Sequence, residues 1–319
     1  MSGASGRAVA HIAVLEVLRE HSIPIDYIVG CSSGALIAAS FVIGTMDILK
    51  EFVYQLSFPK MLRLWSMQNA KGGLFHLNGE KMEATLNSIT HNLNFEDLKH
   101  PRIGFSATDI ETGELVTLKT GSLNKAFKAS VAVPGLFAPV VWGKHILVDG
   151  GLVNVVPTLP VKQMGADIVI AVDLYNREKK ISGPEVKENK LANELRKKFI
   201  DDELLNLKNY LFPDFWPKAV KKILRWAFDK LVYPARVLKI MAGREPPEIT
   251  KVMYEALMII TNNFARERME HADIQFRIRP AFDGLDWLDF DKVDKMIVIG
   301  EKAMEKELPR LKRMLNKQD

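Results

Sequence analysis

One short run constrains what this chain can fold into: Gly30-Cys31-Ser32-Ser33-Gly34, set between an extended segment and an apolar one. Residues 25–29 (IDYIV) follow Pro24, are rich in β-branched and aromatic side chains and stop at Gly30, so they read as a strand. Residues 35–43 (ALIAASFVI) are apolar on all sides and read as a buried helix. Glycines at both flanks permit a sharp strand-to-helix turn that pushes Ser32 outward, with a helix N-terminus behind it that favours negative charge. A serine hydroxyl is a poor nucleophile unless a base lies within hydrogen-bond reach and donors await the oxyanion. The run therefore predicts a serine hydrolase elbow; a Gly/Ser turn that merely caps a helix is the alternative.

The remaining pattern predicts helices over 9–20, 79–87, 123–130, 157–164 and 291–315. Strands are predicted over 102–107, 115–119 (after a hairpin turn at 110–114), 145–148, 167–174 and 274–278. Alternating helices and apolar strands imply an α/β sheet with helices on both faces. The chain is 47% hydrophobic over 319 residues, enough for one large core or two small ones. Composition shifts near Asn176, from where the chain is charged, aromatic and punctuated by proline as far as Pro247. The expected organisation is a catalytic core over 1–175, a helical basic and aromatic insertion or lid over 176–247, and a C-terminal part over 248–319 that completes the core.

The base must come from another segment. Asp149 ends the strand at 145–148 and is followed by Gly150-Gly151, so a carboxylate stands at a strand's C-terminal end. A turn aspartate before glycine is the other reading. A Ser-Asp-His triad in chain order would add His271, which equally fits a histidine at a helix C-terminus.

The residues then match a known pattern. The run 28–36 (IVGCSSGAL) and 148–151 (VDGG), with 107–113 (ATDIETG), 129–137 (ASVAVPGLF), 154–157 (NVVP) and 164–167 (MGAD) in that order, resembles the bacterial patatin-like phospholipases. The resemblance covers roughly 3–174 and returns at 272–290. It implies a three-layer α/β/α fold with a central, mostly parallel sheet. It also implies a Ser-Asp dyad: Ser32 attacks an ester carbonyl, and Asp149 accepts the proton and later activates water. The implied activity is cleavage of carboxylic esters of phospholipids or related lipids, without cofactor.

The family's oxyanion loop, Gly-Gly-Gly-x-Arg-Gly, falls on Gly3, Ala4, Ser5, Gly6, Arg7 and Ala8. Arg7 matches, but three of the four glycines are replaced. The donors are backbone N–H groups, so they survive unless Ala4, Ser5 or Ala8 needs a positive φ. The pattern also implies a strand before this loop, for which the sequence has no residues; either the start is truncated or that edge is covered in another way. A catalytically impaired family member that binds lipid or a partner is the rival function this loop suggests.

Net charge is +5, yet residues 218–244 hold eight cations against Asp229 alone, a net +7 in that segment. Aromatics interleave with the cations: Phe212, Phe215, Trp216 and Trp226 beside Lys221, Lys222 and Arg225. This is the pattern of an interfacial helix on anionic lipid; a core-packed helix with a solvated basic face is the alternative. Nucleic acid is not expected, because no known binding module accompanies the charge. No His/Cys/Asp spacing suits a metal, and no phosphate loop appears. Cys31 is the single cysteine, so no intrachain disulfide is possible; it reads as a small packed residue more readily than as a reactive thiol. The N-terminus has no signal-peptide pattern and the longest apolar run is too short to span a bilayer. The expected location is cytoplasmic, with peripheral contact to a membrane that carries the substrate.

Overall fold

A computed structural model describes residues 1–57, 60, 64, 73–75, 77, 79–175, 248–285 and 289–316. One compact unit takes Met1–Lys180 and Met258–Asp319. The insertion expected over 176–247, with its membrane-contact candidates, lies outside the described residues.

The chain opens with a 3-10 turn, Ser5–Val9, that runs into α1 (Ala10–Glu20). Strand β1 (Tyr27–Cys31) leads through Ser32 into α2 (Ser33–Ile43), where the expected all-round apolar surface is buried from Gly34 to Ser40. Then follow α3 (Met46–Gln55), β2 (Gly73–Phe75), α4 (Glu80–Thr90), β3 (Arg102–Asp109) and β4 (Leu115–Leu118). Helix α5 is Leu123–Ser130, the span the sequence predicts. Strands β5 (Gly135–Phe137), β6 (Val140–Trp142) and β7 (His145–Asp149) precede the short α6 (Gly151–Asn154), α7 (Thr158–Gln163) and β8 (Ile170–Val172). The chain closes with α8 (Glu248–Glu270), β9 (Phe276–Ile278) and α9 (Val293–Leu315).

The architecture is the expected α/β/α, with helices packed on a central sheet. The sheet is mixed, which corrects the expectation of a mostly parallel one. β1 and β3 are parallel, but β4 and β7 are antiparallel to β3, and β6 is antiparallel to β7. The cause is local. Parallel neighbours need a long crossover, whereas β3–β4 and β6–β7 are joined by tight hairpins. Gly143, with φ 59°, makes the two-residue turn between Trp142 and His145. β8 and β9 form a separate parallel pair.

The register on β3 matters most. Phe105 and Ser106 pair with both β1 and β4, so those two strands lie on opposite edges of β3. Ala107 and Thr108 pair with both β4 and β7. β7 therefore lies on the same edge as β1 and continues where it stops. Cys31 pairs with Ser106 and Asp149 with Ala107, so the C-terminal ends of two oppositely running strands face each other at adjacent positions.

The other edge of β1 is met by Met1. Its α-amino group donates to the Val29 carbonyl at 2.8 Å, and its carbonyl accepts from the Cys31 N–H at 3.1 Å. Helix α9 packs on α1 through a stripe of Val293, Met296, Gly300, Met304, Leu308 and Leu311. At Gly300 the helices are so close that a Cβ would stand 2.2 Å from the Ala10 carbonyl oxygen.

Candidate active site

Ser32 adopts φ 51°, ψ −128°, a conformation that costs a non-glycine residue about 1–3 kcal/mol. The turn joins strand to helix as the sequence pattern predicts. Its strain is sustained by close packing. A Cβ on Gly34 would come within 2.6 Å of the Ser2 carbonyl oxygen, and one on Gly30 within 2.5 Å of the Ala35 Cα. Two hydrogen bonds fix the backbone: the Ala35 N–H donates to the Ser32 carbonyl at 2.9 Å, and the Ser32 N–H donates to the Ser130 hydroxyl at 2.8 Å.

Asp149 is brought to this elbow by β7, a strand tied to β3 at both ends. At its start His145 Nδ1 meets Asp109 Oδ2 at 2.6 Å, and at its end the Thr108 hydroxyl donates to the Asp149 carbonyl at 3.0 Å. The Asp149 carboxylate accepts from the Gly151 N–H at 2.7 Å and, weakly, from the Cys31 thiol at 3.9 Å. Gly150 lies over the Ser106 carbonyl. Burial pushes the Asp149 carboxyl up to about 6; hydrogen bonds from the Gly151 N–H, the Ser32 hydroxyl and the Cys31 thiol pull the other way. A base of that pKa is ionised at neutral pH yet basic enough to take a proton from a hydroxyl.

Cys31 is fully buried, and burial and the neighbouring Asp149 push its thiol up, so it stays protonated. It packs with Val155, Val156, Ala171, Ala265 and Met269, against which Tyr175 and Ile274 lie, and the reactive-thiol alternative finds no support in this setting.

The oxyanion-loop candidates lie beside the serine. A Cβ on Gly3 would stand 2.8 Å from the Ser32 Cβ, so only glycine lets the backbone approach there. Ala4 has φ 164°, ordinary extended backbone, and Ala8 sits inside the 3-10 turn. Of the three replaced glycines only Ser5 requires a left-handed conformation, at φ 49°. The Gly3 N–H donates to the Val155 carbonyl and the Ala4 N–H to the Ser33 hydroxyl, both at 3.3 Å. Gly6 is buried in the turn, and Arg7 points away, donating to the Leu285 carbonyl at 2.5 Å and stacking over the Phe282 ring.

Several residues of this site were not singled out by sequence. His11 is wholly buried, and burial, with the positive α-amino group nearby, brings its pKa down to about 3. It is therefore neutral, and its Nε2 donates to the Ser2 carbonyl at 2.8 Å, holding the segment that enters the loop. Ser130 accepts the Ser32 N–H and itself donates to the Ser106 carbonyl, and Thr108 donates to the Asp149 carbonyl. In the sequence Thr108 and Ser130 were marked only by membership in the matched runs 107–113 and 129–137, and Ser106 only by its place in the strand predicted over 102–107. The structure does not bring His271 to the pair: its Nδ1 donates to the Glu267 carbonyl at 2.9 Å, at the C-terminal end of α8.

Comparison with known proteins gives the family. The family described as patatin-like phospholipase matches residues 1–162, more than half of the chain. An NTE family protein of Mycobacterium bovis is 32% identical over 178 residues, covering 56% of this chain and 49% of its own length. A patatin-like phospholipase domain-containing protein of Caenorhabditis elegans is 31% identical over 184 residues, 56% of this chain and 13% of its own length. Lysophospholipase NTE1 of Coccidioides immitis is 24% identical over 316 residues, 98% of this chain and 17% of its own length. The chain thus spans about half the length of the mycobacterial relative and a smaller share of the other two.

Proposed function

This chain belongs to the patatin-like phospholipase family, and from that premise we propose that it hydrolyses carboxylic esters of lipids through an acyl-enzyme on Ser32, with Asp149 as the base. The observation that carries the reading is the register on β3, which sets the ends of β1 and β7 head to head. In the first half-reaction the Ser32 hydroxyl attacks the ester carbonyl carbon and its proton passes to Asp149. The tetrahedral oxyanion is held by the Ala4 backbone N–H and by the positive end of α2, while the Gly3 N–H stays on the Val155 carbonyl. To use the Ala4 N–H the substrate oxygen displaces the Ser33 hydroxyl, whose 3.3 Å contact is long for a hydrogen bond. Collapse expels the alcohol or lysolipid, which takes the proton from Asp149. Asp149 then deprotonates a water that attacks the acyl carbon, and it returns that proton to the Ser32 oxygen as the fatty acid is released.

The lipid assignment is supported by the family and by a relative named as a lysophospholipase. Among the described residues no helix is long and apolar enough to cross a membrane, and the basic, aromatic segment at 212–226 is proposed to dock the enzyme on anionic lipid.

Hydrolysis of p-nitrophenyl acyl esters and release of fatty acid from a lysophospholipid test the assignment. The unmodified protein should turn both over, and Ser32→Ala and Asp149→Ala should each lose at least about a thousandfold in kcat. Turnover in either variant equal to that of the unmodified protein would refute it.

A further inference from the structure

The run 129–137 (ASVAVPGLF) supplies no group to the chemistry above, yet it touches both halves of the reactive pair. The Ser130 hydroxyl accepts the Ser32 N–H at 2.8 Å, and the Ala132 carbonyl, two residues on, accepts the Asp149 N–H at 2.9 Å. Ser130 is wholly buried. Its hydroxyl proton goes to the Ser106 carbonyl at 2.7 Å, so its lone pairs are left for the Ser32 N–H and the direction of both bonds is fixed. Ser106 is the residue of β3 that pairs with Cys31. The Ser32 backbone is thereby tied, through one hydroxyl, to the strand against which Asp149 is also registered.

We propose that the turn Ser130–Ala132 is the positioning element of the dyad and that Ser130 is its positioning residue, holding the Ser32 backbone in the strained conformation that aims its hydroxyl at substrate and base. Ser130 touches no reacting atom; it acts through the Ser32 peptide. The proposal rests on Ser32 being the nucleophile. Without the Ser130 hydroxyl, the Ser32 N–H and the Ser106 carbonyl lose their shared partner inside the protein, and the elbow is free to relax toward ordinary helical φ and ψ. The Ala132–Asp149 bond is between backbones and survives the substitution, so the base keeps its place and its pKa.

The test compares Ser130→Ala and Ser130→Cys with the unmodified protein in p-nitrophenyl ester hydrolysis, with active sites counted by fluorophosphonate labelling. Ser130→Cys keeps the shape of the side chain with a slightly larger atom and weakens the acceptor, and it carries the test if Ser130→Ala does not fold. The expected result is a fall in kcat per labelled site of about tenfold or more in Ser130→Ala and a smaller fall in Ser130→Cys. KM should stay within about twofold, and the acid limb of the pH profile should not move. A residue that only supports the fold would lower the melting temperature and leave kcat per labelled site unchanged. That result in the folded variants, or a loss of kcat that comes with a displaced acid limb, would overturn the proposal. Ser32→Ala is run beside them: if it still turns over, the nucleophile assignment fails, whereas an inert Ser32→Ala with fully active Ser130 variants removes the positioning role alone.

Discussion

At Asp149 two requirements oppose each other: burial beside Ser32 favours the neutral acid, and accepting a proton requires the carboxylate. On the proposed mechanism its pKa of about 6, against an ordinary 3.8, should govern both activity and stability. Activity should rise with pH along an acid limb centred near 6, measured as kcat/KM. Stability runs the other way. Because the folded pKa lies above the unfolded one, the contribution of the neutral acid is full below about 4 and is lost as pH rises through about 6. Asp149→Asn keeps an acceptor for the Gly151 N–H and cannot ionise. It should be inactive but more stable than the parent at pH 8, by roughly 1–3 kcal/mol in urea unfolding, with no gain at pH 4. Equal stability at pH 8 would contradict the burial argument. Ser32 and Asp149 could be singled out as candidates in the sequence, since each carries its own turn glycines. Ser130 could not, because its partner lies 98 residues away in the chain and no local pattern records a tertiary hydrogen bond.

Among the elements, helix α5 and the apolar α2 were legible because their periodicity and capping are local, down to the Ser122 side chain accepting the Lys125 N–H. Strand direction was not, since apolar content reports burial and is silent on which way a neighbour runs. Asp149 was therefore placed at a strand end for a parallel-sheet reason, whereas it reaches the site on a strand antiparallel to β3. The strand expected over 167–174 shrinks to Ile170–Val172, the residues that stand in register opposite the short β9. The α1–α9 contact is set by Gly300. Gly300→Val should cost about 1–3 kcal/mol or more and lower the melting temperature, since the added atoms would collide with the Ala10 carbonyl and push α9 off α1. The loop that α1 follows would shift too, so the variant should also lose kcat at temperatures where it remains folded. An unchanged melting temperature would show that the two helices are free to part.

For the whole molecule, the proposed activity raises the question of how the chain would reach an ester held in a lipid layer. The net +7 of residues 218–244 and the adjoining aromatics supply the proposed docking surface. In flotation assays the protein should bind vesicles rich in anionic lipid and ignore neutral ones. Binding should weaken at high salt and fall when Lys221, Lys222 and Arg225 are changed to Gln. Equal binding to both vesicle types would remove the electrostatic role of the segment. The central claim, that Ser32 is the nucleophile and Asp149 its base, is tested most directly by treating the protein with a fluorophosphonate and locating the adduct by peptide mass mapping. A single adduct on Ser32, absent from Ser32→Ala and formed far more slowly in Asp149→Ala, is the result this account predicts. An adduct on another residue, or labelling of Ser32 at an undiminished rate in Asp149→Ala, would contradict it.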